Sequence, residues 1–249
     1  MLLKNEVALV TGSTNNIGLG IARAFAREGA KVIIHSRHEE DTKRIASELN
    51  GDYFAADVSR PEQIQALFNH IRAKHGRLDI LVNSLAQHSR DGVLEMTLEE
   101  WSQVLAVNLT GYFLCIQHAA RIMKEHAGGA IINISAASGE RGSPGRAAYS
   151  VSKGGIFALT KQAAVDLAPY KIRVNCIVSG IVGTPIGSKD MGNRKLEYDS
   201  IPLRRIGQPE DVAEAAVFLA SEKASYITNA ILAVDGGRMN SMTSASGGG

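Results

Sequence analysis

Thr11-Gly-Ser-Thr-Asn-Asn-Ile-Gly-Leu-Gly20 decides how this chain folds. Just before it, Glu6–Thr11 (EVALVT) is an apolar, β-branched run that predicts a strand. Just after it, Ile17–Glu28 carries apolar residues at helical spacing. Taken alone, the glycines would describe a tight turn. Between a strand and a helix they describe something narrower. The first N–H groups of a helix lack intrahelical acceptors and the helix dipole is positive there, so a pyrophosphate is favoured at that end. The backbone must come close to it, which requires small residues.

Outward from this turn, strand and helix patterns alternate. Strands are predicted at Glu6–Thr11, Lys31–His35, Tyr53–Ala56, Asp79–Asn83, Ala130–Ile134, Lys171–Val178 and Ala230–Val234. Several are apolar almost throughout, as strands covered on both faces must be. Helices are predicted at Ile17–Glu28, Glu39–Leu49, Pro61–His75, Leu98–His126, Ala147–Ala168 and Pro209–Ser221. The alternation implies an α/β, doubly wound (Rossmann) parallel seven-stranded sheet with helices on both faces. It uses residues 1–238 as one dinucleotide-binding and catalytic domain. Gly183–Arg205 is a polar insertion of the kind that forms a lid over a substrate site. Met239–Gly249 (MNSMTSASGGG) has the composition of a flexible tail.

The composition excludes several classes. The chain has 249 residues, 45% of them hydrophobic and 21% charged, which is globular rather than disordered or fibrous. Lys plus Arg is 27 and Asp plus Glu 25, a net charge of +2, too balanced for a nucleic-acid partner. No apolar run approaches the ~18 residues of a membrane span. Cys115 and Cys176 offer neither a disulfide framework nor metal-ligand spacing, so no metal is expected and both read as small core residues. Lys4 and Glu6 interrupt any secretory signal core, so a cytoplasmic protein is expected.

The second decisive stretch is Tyr149-Ser-Val-Ser-Lys153. Residues four apart share one helix face. A phenol loses its proton near pH 10, and an adjacent ammonium favours the phenolate. Such a pair can exchange a proton in carbonyl reduction or alcohol oxidation.

With both stretches in place, the chain resembles the short-chain dehydrogenases/reductases over nearly its whole length. Their TGxxxGxG fingerprint appears as Thr11, Gly12 and Gly18, with Asn16 where the middle glycine is usual. Asn is the side chain that best tolerates positive φ, so the turn can survive. The resemblance implies a nicotinamide nucleotide held by Gly12, Ser13, Asn15, Asn16, Ile17 and Gly18 at the phosphates. It places Asp57 and Val58 at the adenine, with Asn83, Gly180, Val182 and Thr184 further along. Tyr149 and Lys153 would also touch the nicotinamide ribose. Ser36-Arg37-His38 stands where an acidic residue would select NAD. A hydroxyl, a guanidinium and an imidazole suit a phosphate monoester, so NADP(H) is preferred, with NAD(H) as the other option. Asn108, in VNLTG, matches the asparagine of the proton relay. It and Gly111 are poor helix formers, which predicts a local distortion there. The resemblance also implies a homotetramer through the two long helices and the last strand.

One position departs from the pattern. The catalytic serine of the family lies 13 residues before the tyrosine, which here is Ala136, and Gly139 fixes that register. Losing such a hydroxyl donor costs about 10²–10³ in rate. Three explanations stand: a catalytically impaired variant, a hydroxyl supplied by Ser138, or a slow or non-catalytic relative. Ser138 shares the parity of 136 if the backbone stays extended, whereas Ser135 faces away.

The expected activity is interconversion of a secondary alcohol and a ketone by hydride transfer. Lys189, Arg194, Lys195, Arg204 and Arg205 in the insertion, with His88, Arg90, Arg141 and Arg146 near strand ends, point to a small polar, anionic substrate. A sugar, sugar acid or hydroxy acid would fit. The alternatives are a 3-oxoacyl reductase of the same family and a nucleotide-binding sensor without chemistry.

Overall fold

A computed structural model describes residues 1–183 and 201–239. Seven parallel strands form one sheet in the order β3-β2-β1-β4-β5-β6-β7. They are β1 (Val7–Thr11), β2 (Lys31–Ser36), β3 (Asp52–Ala55), β4 (Ile80–Asn83), β5 (Gly129–Ala136), β6 (Ile172–Ser179) and β7 (Ile231–Val234). Every residue of β1 and β4 is buried, as the unbroken apolar runs required. The order reverses between β2-β1 and β4-β5, and such a switch point opens a crevice beyond the strands' carboxyl ends.

The helices are α1 (Asn16–Arg27), α2 (Glu39–Glu48), α3 (Pro61–His75), α4 (Leu98–Leu105), α5 (Gly111–Met123), α6 (Ser138–Arg141), α7 (Ala147–Leu167) and α8 (Pro209–Ala220). One face of the sheet packs Ile21 and Phe25 of α1 with Val212 and Val217 of α8. The other packs Ile64, Leu67 and Ile71 of α3 with Cys115, Ala119 and Met123 of α5. Both cysteines are buried and free.

Local chemistry sets the helix ends. Pro61 opens α3, and Gly76, at φ +70°, closes it by donating its N–H to the Arg72 carbonyl at 3.0 Å. The Thr97 hydroxyl accepts from the Glu100 N–H at 3.1 Å to cap α4.

The helix predicted over Leu98–His126 runs unbroken over 98–123 but changes its winding within. A π turn over Ala106–Thr110 separates α4 from α5, which ends at Met123. It contains Asn108 and abuts Gly111, where a distortion is expected. β5 runs two residues beyond its predicted end and turns directly into α6, a helix the periodicity did not reveal. Most of the 183–205 insertion and the tail from 240 onward lie outside the described residues. Among the described residues no helix is long and apolar enough to cross a membrane.

Candidate active site

The turn from β1 into α1 is built as its residues demanded. Gly12 has φ +67° and Asn16 φ +43°, so the asparagine does adopt the left-handed conformation. A Cβ on Gly18 would lie 2.1 Å from the Gly12 carbonyl oxygen, so only glycine lets the helix start this close to the turn. Asn15 caps α1 with no side-chain hydrogen bond, leaving the first-turn N–H groups without an acceptor from the helix or its cap. Ser13 does a different job. It is fully buried, and its hydroxyl accepts from the His35 N–H at 2.9 Å, tying the turn to β2.

A cavity of about 570 Å³ opens at the strands' carboxyl ends. Gly12, Asn15, Asn16, Ile17 and Gly18 line one end of it. His88, Ala136, Tyr149, Lys153, Gly180 and Val182 line the remainder. The structure thus brings together both stretches that the sequence singled out. Thr184 lies outside the described residues.

The remaining expected nucleotide contacts do not line this cavity. Ser36 is buried and its hydroxyl lies 2.7 Å from the Thr42 hydroxyl and 3.2 Å from the His38 carbonyl, so it is engaged within the β2–α2 turn. Arg37 and His38 are exposed beside it, and Arg37 makes no hydrogen bond or ion pair among the described residues. Asp57 is half-buried. Burial opposes its ionisation, but the Ser59 N–H at 2.9 Å, the Ser59 hydroxyl at 2.8 Å and the Arg37 charge hold its pKa below the usual value. Val58 is buried against α5. Asn83 is buried at the end of β4, and its amide donates to Asn133 across the sheet at 2.9 Å. Its side chain is therefore a sheet brace.

Tyr149 and Lys153 lie one turn apart on α7. The Lys153 ammonium donates to the Ile134 carbonyl at 3.1 Å and lies 5.4 Å from the centre of the Tyr112 ring. Burial pulls its pKa down to about 8. The expectation that Lys153 depresses the Tyr149 pKa needs correction. Burial dominates and pushes the phenol above its usual value, and the cation that opposes this is Arg146, 5.6 Å from the ring centre. Lys153 stands 5.8 Å from that ring.

Ala136 ends β5 and lines the cavity. Ser138 cannot take over for it by parity. Ala137 is already helical, at φ −56° and ψ −27°, so alternation stops at the strand end. Ser138 nevertheless lines the cavity, with its hydroxyl oxygen buried and without a hydrogen-bond partner among the described residues. Ser135 does face away, donating to the Lys153 carbonyl at 2.8 Å.

Asn108, in the π turn, is completely buried. Its amide accepts from the Gln87 N–H at 2.7 Å and donates to the Gln87 carbonyl at 2.9 Å and the Ser152 hydroxyl at 3.1 Å. It grips the backbone next to His88. The imidazole of His88 stacks on Tyr149, with centroids 4.8 Å apart and planes at 23°. Spacing gave no hint of that contact across 61 residues, and the sequence marked His88 only as one of several charges. Two other cations are committed elsewhere. Arg205 pairs with Asp211 at 2.6 and 2.7 Å, and Arg141 donates to the carbonyls of Arg238 and Met239.

The likeness to known proteins agrees with this geometry. The family model described as Enoyl-(Acyl carrier protein) reductase matches residues 12–239. The 3-oxoacyl-(acyl-carrier-protein) reductase FabG of Chlamydia muridarum is 39% identical, covering 95% of this chain and 98% of that protein. A 3alpha-hydroxysteroid dehydrogenase of Mediterraneibacter gnavus is 36% identical with the same coverage, 95% and 98%. The crystal structure of a gluconate 5-dehydrogenase from Burkholderia cenocepacia, in complex with NADP and tartrate, superposes with a TM-score of 0.91. It is 32% identical over 96% of this chain and 97% of that one. The chain belongs to the short-chain dehydrogenase/reductase family and is an oxidoreductase that uses a nicotinamide cofactor. Its residues fit such a nucleotide: the free N–H groups of α1 suit a pyrophosphate, and the cavity runs from them to Tyr149.

Proposed function

We infer that the protein interconverts a secondary alcohol and a ketone on a small polar, anionic substrate of the sugar, sugar-acid or hydroxy-acid type, with NADP(H). The observation that carries this reading is the single cavity shared by the α1 turn, Tyr149 and Lys153. When bound, the cofactor supplies or accepts the hydride. Tyr149 holds the proton exchanged with the substrate oxygen. Lys153 supports the nicotinamide ribose, and Asn108 fixes the segment that carries His88. Exposed Arg146 lines the cavity beside Tyr149 and gives its mouth a positive charge that favours an anionic substrate.

The NADP(H) preference rests on Arg37, whose unpaired guanidinium stands at the end of β2. Arg37→Ala should raise the Kd for NADPH about 10–100-fold, the worth of one or two hydrogen bonds to a charged group. The Kd for NADH should stay nearly constant. Fluorescence titration of both nucleotides checks this, and equal losses would remove the preference.

The reading includes a homotetramer and a cytoplasmic setting. Exposed Leu98, Phe113, Val151 and Val165 on α4, α5 and α7 support the first, and two free buried cysteines accord with the second.

A 3-oxoacyl reductase is the second reading. An apolar hollow lined by Val93, Met96, Leu98 and Trp101 reaches Ala147, two residues from Tyr149, and could take an acyl chain. NADPH oxidation with 5-ketogluconate and with acetoacetyl-coenzyme A separates the two. The first reading expects the higher kcat/KM for 5-ketogluconate. The reverse order selects the second, and turnover of neither sinks both.

A further inference from the structure

We propose that His88 is the second hydrogen-bond donor to the substrate oxygen, in the place that Ala136 leaves without a hydroxyl. This rests on the alcohol–ketone reading of the cavity and assigns a residue to its missing part.

Carbonyl reduction needs donors aimed at the oxygen on which negative charge grows. Tyr149 is one. Three hydroxyls next to Ala136 are poorly placed for the second. Ser135 donates to the Lys153 carbonyl, Ser179 donates to the Ser135 carbonyl at 3.1 Å, and Ser138 lines the cavity with its hydroxyl oxygen buried rather than open to it. His88 lines the same cavity as these three, Ala136 and Tyr149, but it is exposed, and it makes no hydrogen bond through its ring nitrogens among the described residues. The stack holds the imidazole against the ring that carries the proton donor, with centroids 4.8 Å apart, and both side chains line the cavity.

Its position is held from behind. Asn108 clamps both backbone groups of Gln87, and the Ser89 hydroxyl accepts from the Tyr149 N–H at 3.3 Å. The residues on either side of His88 are therefore bonded to the π turn and to α7. Partial burial and the charges of Arg146, Lys153 and Arg90 lower its pKa and keep the ring neutral at pH 7. A neutral imidazole still has one N–H to donate. No covalent bond to His88 forms in this role. The hydride goes to the carbonyl carbon, the proton comes from Tyr149, and His88 only donates a hydrogen bond.

The test compares His88→Ala, His88→Phe, Ala136→Ser and the double variant His88→Ala/Ala136→Ser, with Ser143→Ala, another residue of the cavity wall, alongside. Steady-state rates use the better of the two ketone probes, and NADPH titration is run on each protein. His88→Ala should lower kcat about 10²-fold, with the Kd for NADPH unchanged. His88→Phe keeps a ring against Tyr149 and should be as slow, which a purely packing role would not give. Ala136→Ser should restore His88→Ala to within about tenfold of the parent, yet change the parent only a few-fold.

Four results would overturn the proposal. One is full activity in His88→Phe. A second is a gain of about 10²-fold on Ala136→Ser in the parent chain, which would mean a disabled enzyme. A third is a large loss in Ser143→Ala with little in His88→Ala. The last is no turnover by any variant, Ala136→Ser included, despite normal NADPH binding. That result removes the alcohol–ketone reading itself and the role of His88 with it.

Discussion

Tyr149→Phe is expected to lower kcat about 10²–10⁴-fold, the usual worth of a positioned proton donor. The ring and its stack on His88 remain, because only the hydroxyl is lost. The Kd for NADPH should therefore hold within about twofold, and kcat and kcat/KM should fall together. Stopped-flow turnover with parallel nucleotide titration measures both. Retention of more than about a tenth of the rate would take the proton out of Tyr149's hands. The pH profile gives a second check. Burial raises the Tyr149 pKa above its usual value, with Arg146 opposing. Ketone reduction consumes the phenol proton, so its rate should be level through neutral pH and fall as pH rises through that raised pKa. Alcohol oxidation needs the phenolate and should climb over the same range.

Gly18→Ala is the second large effect. The new Cβ would meet the Gly12 carbonyl oxygen at 2.1 Å and its carbon at 2.8 Å, both main-chain atoms that cannot rotate away. Relief requires moving α1 off the turn, at a cost of about 3 kcal/mol. It also displaces the free N–H groups, so NADPH affinity should drop at least about 100-fold. Gly76→Ala is the control. It strains φ at +70° but has nothing within 4 Å, so it should cost about 1 kcal/mol and leave NADPH binding alone. Thermal melts and titrations of both variants decide. Normal NADPH affinity in Gly18→Ala would mean that the turn does not hold the phosphates.

The sheet was legible because several of its strands, β1 and β4 above all, are covered on both faces and so are apolar almost throughout. β1 and α3 show how much a few residues reveal. Pro61 and Gly76 punctuate α3 so clearly that both its ends could be read to the residue. Asn16 stands where the family fingerprint has a glycine, and its short amide side chain tolerates the left-handed φ of +43° found there. What escaped the reading depends on contacts that spacing does not encode. Parity carried Ser138 to the same face as Ala136 only for as long as the chain stayed extended, and it bends at Ala137. The distortion between α4 and α5 was legible from two poor helix formers, Asn108 and Gly111, but its form as a π turn was not. The His88–Tyr149 stack joins a loop to a helix, and Arg205 is held by Asp211 at the start of α8. Only packing determines either partnership.

The π turn has one more consequence, for how this chain can change over generations. An α-helix advances about 100° per residue, so the wider turn is a phase shift inserted between α4 and α5. Downstream of it, Cys115, Ala119 and Met123 face the sheet. Upstream, Val104 is buried. The wider turn takes up one extra residue, so deleting one from Ala106–Thr110 would restore regular winding and leave those three side chains on the sheet. Inserting or deleting a residue within α4 or α5, where the winding has nothing to give, would instead swing the seam of α5 by about 100°. The segment that clamps Gln87 is thus a place where this helix can change its count and keep its phase, while Asn108 fixes part of its spelling.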